Sequence, residues 1–540
     1  MATPTISQPE LLRPPLDYPR IPYDRLLTET ARRSPENEAV VFRDVSLTYR
    51  ELEASTNRFA RALRRLGVGK GDHVCLLTPN CPEFVIAFFA LARLGAVASA
   101  MNPSYREREI EYQLGNAEAV ALIVHRTLLP LVEAVRAKLP RLRHVIAVGA
   151  ADGPAADGSP GVGVVAFADL VKREDAAPPP AVAIGDDDLV ALPYSSGTTG
   201  LPKGVMLSHR NLVVNNYQFV ASLRVRPTDR LLLFLPLYHI YGTMLMGAGV
   251  VAGAALILMD RFDPPESLRL VKRHGVTLFF AVPPVLLVLS QRPDTTPEAF
   301  GTVRLVMVGA APVAPELSRR FRELTGVPVL QGYGLTEAAP LTHLNVPYDD
   351  SLNVIDSCGL PAHDTEQKVV DLETGERELP VGEVGEIIVR GPQVMLGYWN
   401  APESTAAALR NGWLYTGDIG RIDAQGYLTI TDRKKEMIKY KGFGIAPAEI
   451  EALLFEHPGV ADCAVIGKPD PEAGEVPKAF IVRKDPALTA EALLEWARGR
   501  LAGYKTLHEV ALVDAIPKTA SGKILRRVLK EEERKRLGLA

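Results

Sequence analysis

The sequence predicts an α/β protein, with a large multilayer α/β N-terminal domain followed by a small α+β C-terminal domain. Three observations carry this. Amphipathic segments of roughly 10 to 20 residues alternate with short runs rich in Val, Ile and Leu, the texture of helices layered on a sheet. The runs "HVCLL" (73–77), "ALIVH" (121–125) and "LVMVG" (305–309) are apolar almost throughout, as parallel strands covered on both faces are. From about residue 365 the pattern changes to short strands and turns, "GEVGEIIVRG" and "GYLTI". At 540 residues and 47% apolar, the chain is long enough to bury a sizeable core and to form more than one domain.

The elements follow in order. Thr48 and Glu51 form a capping box, and Leu52, Phe59, Leu63 and Leu66 then share one helical face until Gly67 stops it. Segments 149–163 and 174–188, rich in Gly, Ala, Pro and Asp, read as surface loops. "DLVAL" (188–192) reads as a strand. Leu231 to Met259 holds no charged residue and has the length of a membrane span. Pro236, His239, Gly242, Gly247, Gly249 and Gly253 break it, however, into a strand, a loop, a buried helix and a second strand. The charge-dense "DRKKEMIKYKG" (432–442) sets the boundary between domains at 1–431 and 432–540. Beyond it Pro447 opens a helix carrying Ile450, Leu453 and Leu454, and Thr489 caps another within 487–501. No internal repeat is evident.

Composition limits the function. Lys and Arg number 61 against 64 Asp and Glu, a net charge of -3, so no basic field exists to hold nucleic acid and a small-molecule partner is expected. Cys75, Cys81, Cys358 and Cys463 are scattered without a CxxC pair, which fits a reducing compartment. Met1–Arg20 has no apolar core of signal-peptide length, and the final Gly538, Leu539 and Ala540 do not spell a peroxisomal address. The expectation is a cytoplasmic protein with no integral membrane span, monomeric or homodimeric.

The stretch "YSSGTTGLPKGVMLSH" (194–209) carries the strongest chemistry. Glycines let the backbone approach an anion, hydroxyls and amide N–H groups surround phosphate oxygens, and Lys203 adds charge. It is not a Walker A loop, because Lys203 follows Pro202 and precedes Gly204. Taken alone, an ordinary surface turn remains the alternative.

Six further motifs follow it in order: "LPLYHIYG" (235–242), "VGAAP" (308–312), "QGYGLTEAAP" (331–340), "GWLYTGDIG" (412–420), "DRKKEMIKYKGF" (432–443) and "PKTASGKILRR" (517–527). Together they resemble the adenylate-forming superfamily of acyl-CoA ligases, carrier-protein adenylation domains and luciferases, and most of all its 4-coumarate and medium- or long-chain fatty acid CoA ligases. The resemblance spans nearly the whole chain from about residue 40. It implies ATP, Mg²⁺ and coenzyme A, and two half-reactions: formation of an acyl-AMP with release of pyrophosphate, then transfer of the acyl group to a thiol.

By resemblance, Ser195, Ser196, Gly197, Thr198, Thr199, Gly200 and Lys203 hold the β- and γ-phosphates. Thr336 meets the phosphate and Glu337 binds Mg²⁺, for which a hard carboxylate oxygen is suited. Tyr333 stacks on adenine beside Gly309, Ala310, Ala311 and Pro312, with Gln331, Gly332 and Gly334 around it. Asp418 accepts from the ribose hydroxyls, with Arg433 in reach. Lys523 bridges the acyl carboxylate and the α-phosphate, and His239 contacts or gates that carboxylate. The small domain is mobile, turning about a hinge near 432–435, at Lys435. Lys439, Lys441 and Gly442 line the channel for the thiol. Each role has a plain rival: Glu337 and Asp418 as caps, Lys523 as a solvated lysine, His239 as a packed core histidine, and 432–442 as a solvated face.

The acyl pocket falls to Tyr241, Met307, Val308, Gly309, Ala338, Ala339, Pro340 and Leu341. Its apolar character offers a phenol no partner and favours aliphatic acids, although core packing explains the same residues. One position departs from the resemblance. Many hydroxycinnamate ligases read "YKGFQVAPAE", whereas this chain reads "YKGFGIAPAE", with Gly444 in place of the glutamine. Two alternatives to the CoA ligase therefore stand: an enzyme passing its acyl-AMP to an amine or a carrier-protein pantetheine, and an inactive nucleotide-binding regulator.

Overall fold

A computed structural model describes residues 12–149, 163–195, 202–311, 313–434, 436–440, 443–498, 500–501, 505–519 and 524–539. Among them the strands form four sheets, two of nine strands and two of five. The capping box forms as expected: Thr48 accepts from Glu51 N, and helix Tyr49–Arg65 buries Leu52, Phe59 and Leu63. Strands His73–Leu77 and Ala121–His125 pair in parallel at the centre of one nine-stranded sheet. Residues 174–188 contain neither helix nor strand, whereas 150–162 of the other expected loop lie outside the described residues.

The second nine-stranded sheet positions the site. Its centre runs Val329–Gly334, Leu305–Val308, Leu278–Ala281, Arg230–Leu233, Ala255–Leu258 and Glu38–Phe42, all parallel, with antiparallel strands at both edges. The 231–259 run resolves into strand, loop, helix Ile240–Ala252 and strand Ala255–Leu258. Helices Ile240–Ala252 and Pro82–Leu94 are apolar on all sides and almost wholly buried, the mark of helices enclosed between layers. Gly242 permits the turn into the first of these, because a Cβ there would stand 2.2 Å from the Pro236 carbonyl oxygen. That close approach folds residues 236–239 back over the strand ends.

One five-stranded sheet carries Gly385–Arg390, Trp413–Ile422 and Leu428–Arg433, and the other carries Ile438–Tyr440, Phe443–Ile445, Val460–Asp470, Gly474–Arg483 and Glu509–Leu512. Helix Pro447–Phe455 packs Ile450 and Leu454 into the small apolar core of the last sheet. Thr489 caps a helix that ends at Ala497, short of the expected 501.

The chain crosses from one part to the other through a buried ionic cluster. Arg526 pairs with both Glu436 and Glu451, the latter at 2.6 Å. Asp432, beside them, has its carboxyl pushed up to about 7 by burial. Its Oδ2 has no hydrogen-bond partner among the described residues, which suits a protonated acid.

Two buried histidines give the fold an acid limit. His209 accepts the Tyr23 N–H on Nδ1 at 2.9 Å, His343 meets Gln367 Oε1 at 2.9 Å, and burial lowers both to about 4. Because the folded values lie below the ordinary 6.5, the unfolded chain binds more protons between these limits. Their stabilisation is therefore complete above pH 6.5 and is lost as pH falls toward 4, on the order of 3 kcal/mol for each ring. Replacing His209 with Asn, whose side-chain oxygen can still accept from Tyr23, should flatten the decline in urea midpoint between pH 7 and pH 5. A decline as steep as the parent's would remove His209 as a cause.

Candidate active site

The candidate site is a cavity of about 630 Å³ at the carboxyl ends of four adjacent parallel strands. Tyr333 and Gly334 close strand Val329–Gly334, Gly309 and Ala310 follow Leu305–Val308, Val282 follows Leu278–Ala281, and Leu235 to His239 follow Arg230–Leu233. Ligands of open α/β sheets sit in this crevice because loops there can converge without interrupting the ladder. Ala310 holds a left-handed φ of 68°, backbone strain of the sort that gathers at sites.

Charged groups enter from the neighbouring sheets. Asp418 and Arg433 lie directly opposite on paired strands, which brings the Arg433 Nε to 3.0 Å from Asp418 Oδ1. Tyr333 donates its hydroxyl to Asp418 Oδ2 at 2.6 Å. Burial, then the Asp418 charge, pushes that phenol well above its ordinary range, so it remains a donor. His239 caps helix Ile240–Ala252 and accepts the Tyr241 N–H on Nδ1 at 3.2 Å, which fixes its ring at the cavity wall. Ser195 and Lys203 pair across the mouth of the 195–203 loop, and the Lys203 ammonium donates to Ser404 Oγ at 2.7 Å.

Of the residues singled out from sequence, Ser195, Lys203, His239, Tyr241, Met307, Gly309, Ala310, Gly332, Tyr333, Gly334, Thr336, Glu337, Pro340, Leu341, Asp418 and Arg433 line this one cavity. Others stand apart from it. Val308 points to the opposite face of its strand from Met307 and is buried in the core, as are Ala338 and Ala339 beneath the Thr336–Ala338 turn. Gln331 turns away to donate to the Ile355 carbonyl, and Ala311 lies off the wall. Lys439 is exposed, with its backbone N–H donated to Glu475. Ser196, Gly197, Thr198, Thr199, Gly200, Pro312, Lys435, Lys441, Gly442 and Lys523 lie outside the described residues.

The cavity also contains groups the sequence reading passed over. Glu386, 5% exposed, accepts from the Lys434 ammonium at 2.7 Å and from Gly417 N at 3.2 Å. A carboxylate inside the apolar strand "GEIIVR" was the available signal. Tyr238, Met244, Tyr398 and Thr519 also line it, the last from the C-terminal part of the chain. Met307 reaches Gly332 so closely that a Cβ there would lie 2.5 Å from its methyl group.

The donor set fits Mg²⁺. That ion takes one or two protein carboxylates and leaves its remaining positions to phosphate oxygens and water. Glu337 supplies one carboxylate across the cavity from Lys203; its Oε1 accepts from Tyr398, and its Oε2 makes no hydrogen bond among the described residues. No cluster of three or more His, Cys, Asp or Glu that could hold a metal ion occurs among the described residues.

Strand ends open to a ligand, a carboxylate suited to a hard cation and apolar side chains beside them suit an enzyme that activates acids with ATP. Comparison with known proteins agrees: residues 27–399 match the AMP-binding enzyme family and 449–523 match the AMP-binding enzyme C-terminal domain, and the chain belongs to this family. It is similar to the 4-coumarate–CoA ligase of Pinus taeda, 41% identical over 90% of this chain and 90% of that one. It is also similar to the long-chain-fatty-acid–CoA ligase of Bacillus subtilis, 36% identical over 96% of both. Among solved structures, the anthranilate CoA ligase AuaEII in complex with anthranoyl-AMP superposes with a TM-score of 0.88 at 30% identity, covering 97% of this chain and 99% of that one. The protein is thus an ATP-dependent acid–thiol ligase that forms acyl-CoA through an acyl-adenylate, with Mg²⁺ and CoA as the other participants. No helix among the described residues is long and apolar enough to cross a membrane.

Proposed function

We propose that the acid is a medium- or long-chain fatty acid or an aryl acid with an apolar body, seated with its carboxylate near His239 and its body against Met307, Val282 and Leu341. The observation that supports this is the apolar recess formed by these side chains beside the polar lining of the same cavity. The relatives named for 4-coumarate and for long-chain fatty acids bracket the same choice.

In the first half-reaction an acid oxygen attacks the α-phosphorus of ATP, the phosphoanhydride bond breaks and pyrophosphate leaves. Negative charge gathers on phosphate oxygens, so donors fixed beforehand lower the barrier most. The 195–203 loop with Lys203 holds the β- and γ-phosphates, Thr336 donates to phosphate, and Asp418 accepts from the ribose with Arg433 beside it. Tyr333 lies against adenine, its ring held by the bond to Asp418. Glu337 would hold Mg²⁺, which would supply positive charge to offset that of the phosphates. Lys523 spans the acid carboxylate and the α-phosphate. In the second half-reaction the CoA sulfur attacks the acyl carbonyl and AMP leaves, with Lys439, Lys441 and Gly442 lining the thiol's approach.

The domains divide at 431/432, with rotation at Lys435. The flanking contacts support this hinge: Lys434 is tied to the large domain through Glu386 and Gly417 O, whereas Glu436 is tied to the small one through Arg526. A cytoplasmic setting is supported by the unpaired Cys75, Cys81, Cys358 and Cys463.

Mass-spectrometric product analysis with ATP, Mg²⁺ and a panel of aliphatic and aryl acids, with and without CoA, tests the reading. Acyl-CoA and AMP from fatty or aryl acids are expected. Turnover confined to short polar acids would overturn the substrate class, and acyl-AMP that persists beside CoA would shift the acceptor to an amine or a carrier pantetheine, as Gly444 allows.

A further inference from the structure

One side chain ties the phosphate loop to the metal carboxylate. Residues 395–399 run between the strand that leaves the loop, Lys203–Ser208, and the turn Thr336–Ala338. Trp399 N donates to Gly204 O at 2.8 Å, Leu396 N to Met206 O at 3.0 Å and Met395 N to Glu337 O at 2.8 Å. Val205 and Tyr398 are register partners across this pairing. The backbone of Tyr398 is therefore fixed to both halves of the phosphate site.

Its side chain makes the remaining link. The Tyr398 hydroxyl donates to Glu337 Oε1 at 2.8 Å, the Lys203 ammonium stands 5.4 Å from the centre of its ring, and Thr405 Oγ1 accepts from its backbone N–H at 2.9 Å. The hydroxyl thus donates to one oxygen of Glu337, and the other oxygen, which makes no hydrogen bond among the described residues, is the one presented for a ligand. An octahedral ion with short, rigid bonds is sensitive to the plane of that carboxylate.

We propose that Tyr398 is a positioning residue for adenylation: it fixes the Glu337 carboxylate for one-oxygen coordination of Mg²⁺ and couples that geometry to Lys203. The inference rests on Glu337 being the metal carboxylate. Loss of a group that orients a metal ligand weakens the metal about 10- to 100-fold.

The test is Mn²⁺ binding, followed by electron paramagnetic resonance, in the presence of a non-reactive methylene analogue of ATP, for the parent, Tyr398→Phe and Glu337→Gln. Phe keeps the ring under Lys203 and the packing, so melting without ligand should match the parent. Tyr398→Phe is expected to bind Mn²⁺ about 10-fold more weakly while binding the analogue in EDTA as the parent does. In pyrophosphate exchange it should raise the KM for Mg²⁺ by a similar factor and leave kcat at saturating Mg²⁺ within about threefold. Parental Mn²⁺ affinity in Tyr398→Phe together with weakened affinity in Glu337→Gln overturns the role of Tyr398 alone. Parental affinity in Glu337→Gln overturns the metal role of Glu337 and this inference with it.

Discussion

Lys523→Ala is expected to lower acyl-AMP formation by about 10²- to 10³-fold, equivalent to about 3 kcal/mol or more of transition-state stabilisation, while leaving ATP binding nearly intact. The reason lies in the cations that line the cavity. Among the described residues these are Lys203, Arg410, Arg433 and Lys434. Arg433 is paired with Asp418, Lys434 with Glu386, and Arg410 lies 4.5 Å from the centre of the Tyr415 ring and donates to the Ala407 carbonyl. Lys203 donates to Ser404 Oγ and is proposed above to hold the outer phosphates. None of them is available to bridge the acid and the α-phosphate. Thr519, four residues before Lys523, lines the same cavity, and Lys518 and Ile524 bridge at the base of that segment. Pyrophosphate exchange measures the effect directly. Preformed acyl-AMP should still pass to CoA in this variant at close to the parental rate, and exchange within about threefold of the parent would remove Lys523 from the chemistry.

What the sequence disclosed was whatever local chemistry decides. A capping box needs only Thr48 and Glu51, and it formed as read. Strands 73–77 and 121–125 have the expected bounds because an unbroken apolar run between turns leaves little choice. Proline and glycine similarly divided the 231–259 run. Within a motif, by contrast, adjacency does not say which side chain faces the ligand. Met307 lines the cavity and Val308 the core because a strand alternates, and the turn at 336–338 sends Glu337 toward Tyr398 and Ala338 inward. Glu386 with Lys434, and Tyr398 with Glu337, are pairs 48 and 61 residues apart in sequence. Only the tertiary fold brings them together, so their types and local spacing carried no sign of the pairing.

Lys439→Ala is expected to slow thioester formation by about 10²-fold, the scale on which a misplaced nucleophile is penalised, with pyrophosphate exchange within about threefold of the parent. In this structure Lys439 is exposed, its backbone held by Glu475, while Thr519 of the same C-terminal part lines the cavity. A residue so placed cannot guide a thiol to a carbonyl in that cavity unless the small domain turns. The contacts on either side of residue 435 support the hinge proposed there. Lys434 N donates to Gly417 O at 2.8 Å and its ammonium to Glu386, which holds the chain to the large domain up to that residue. From Glu436 onward the buried pairing with Arg526, itself joined to Glu451, holds it to the small one. Breaking that second cluster would leave a buried charge without its partner, which typically costs about 3–5 kcal/mol and supports the proposed hinge at Lys435 over one beyond Glu436. Single-turnover measurement of both half-reactions separates the outcomes. An equal loss in both would mean that Lys439 serves the fold of the small domain and not the thiol.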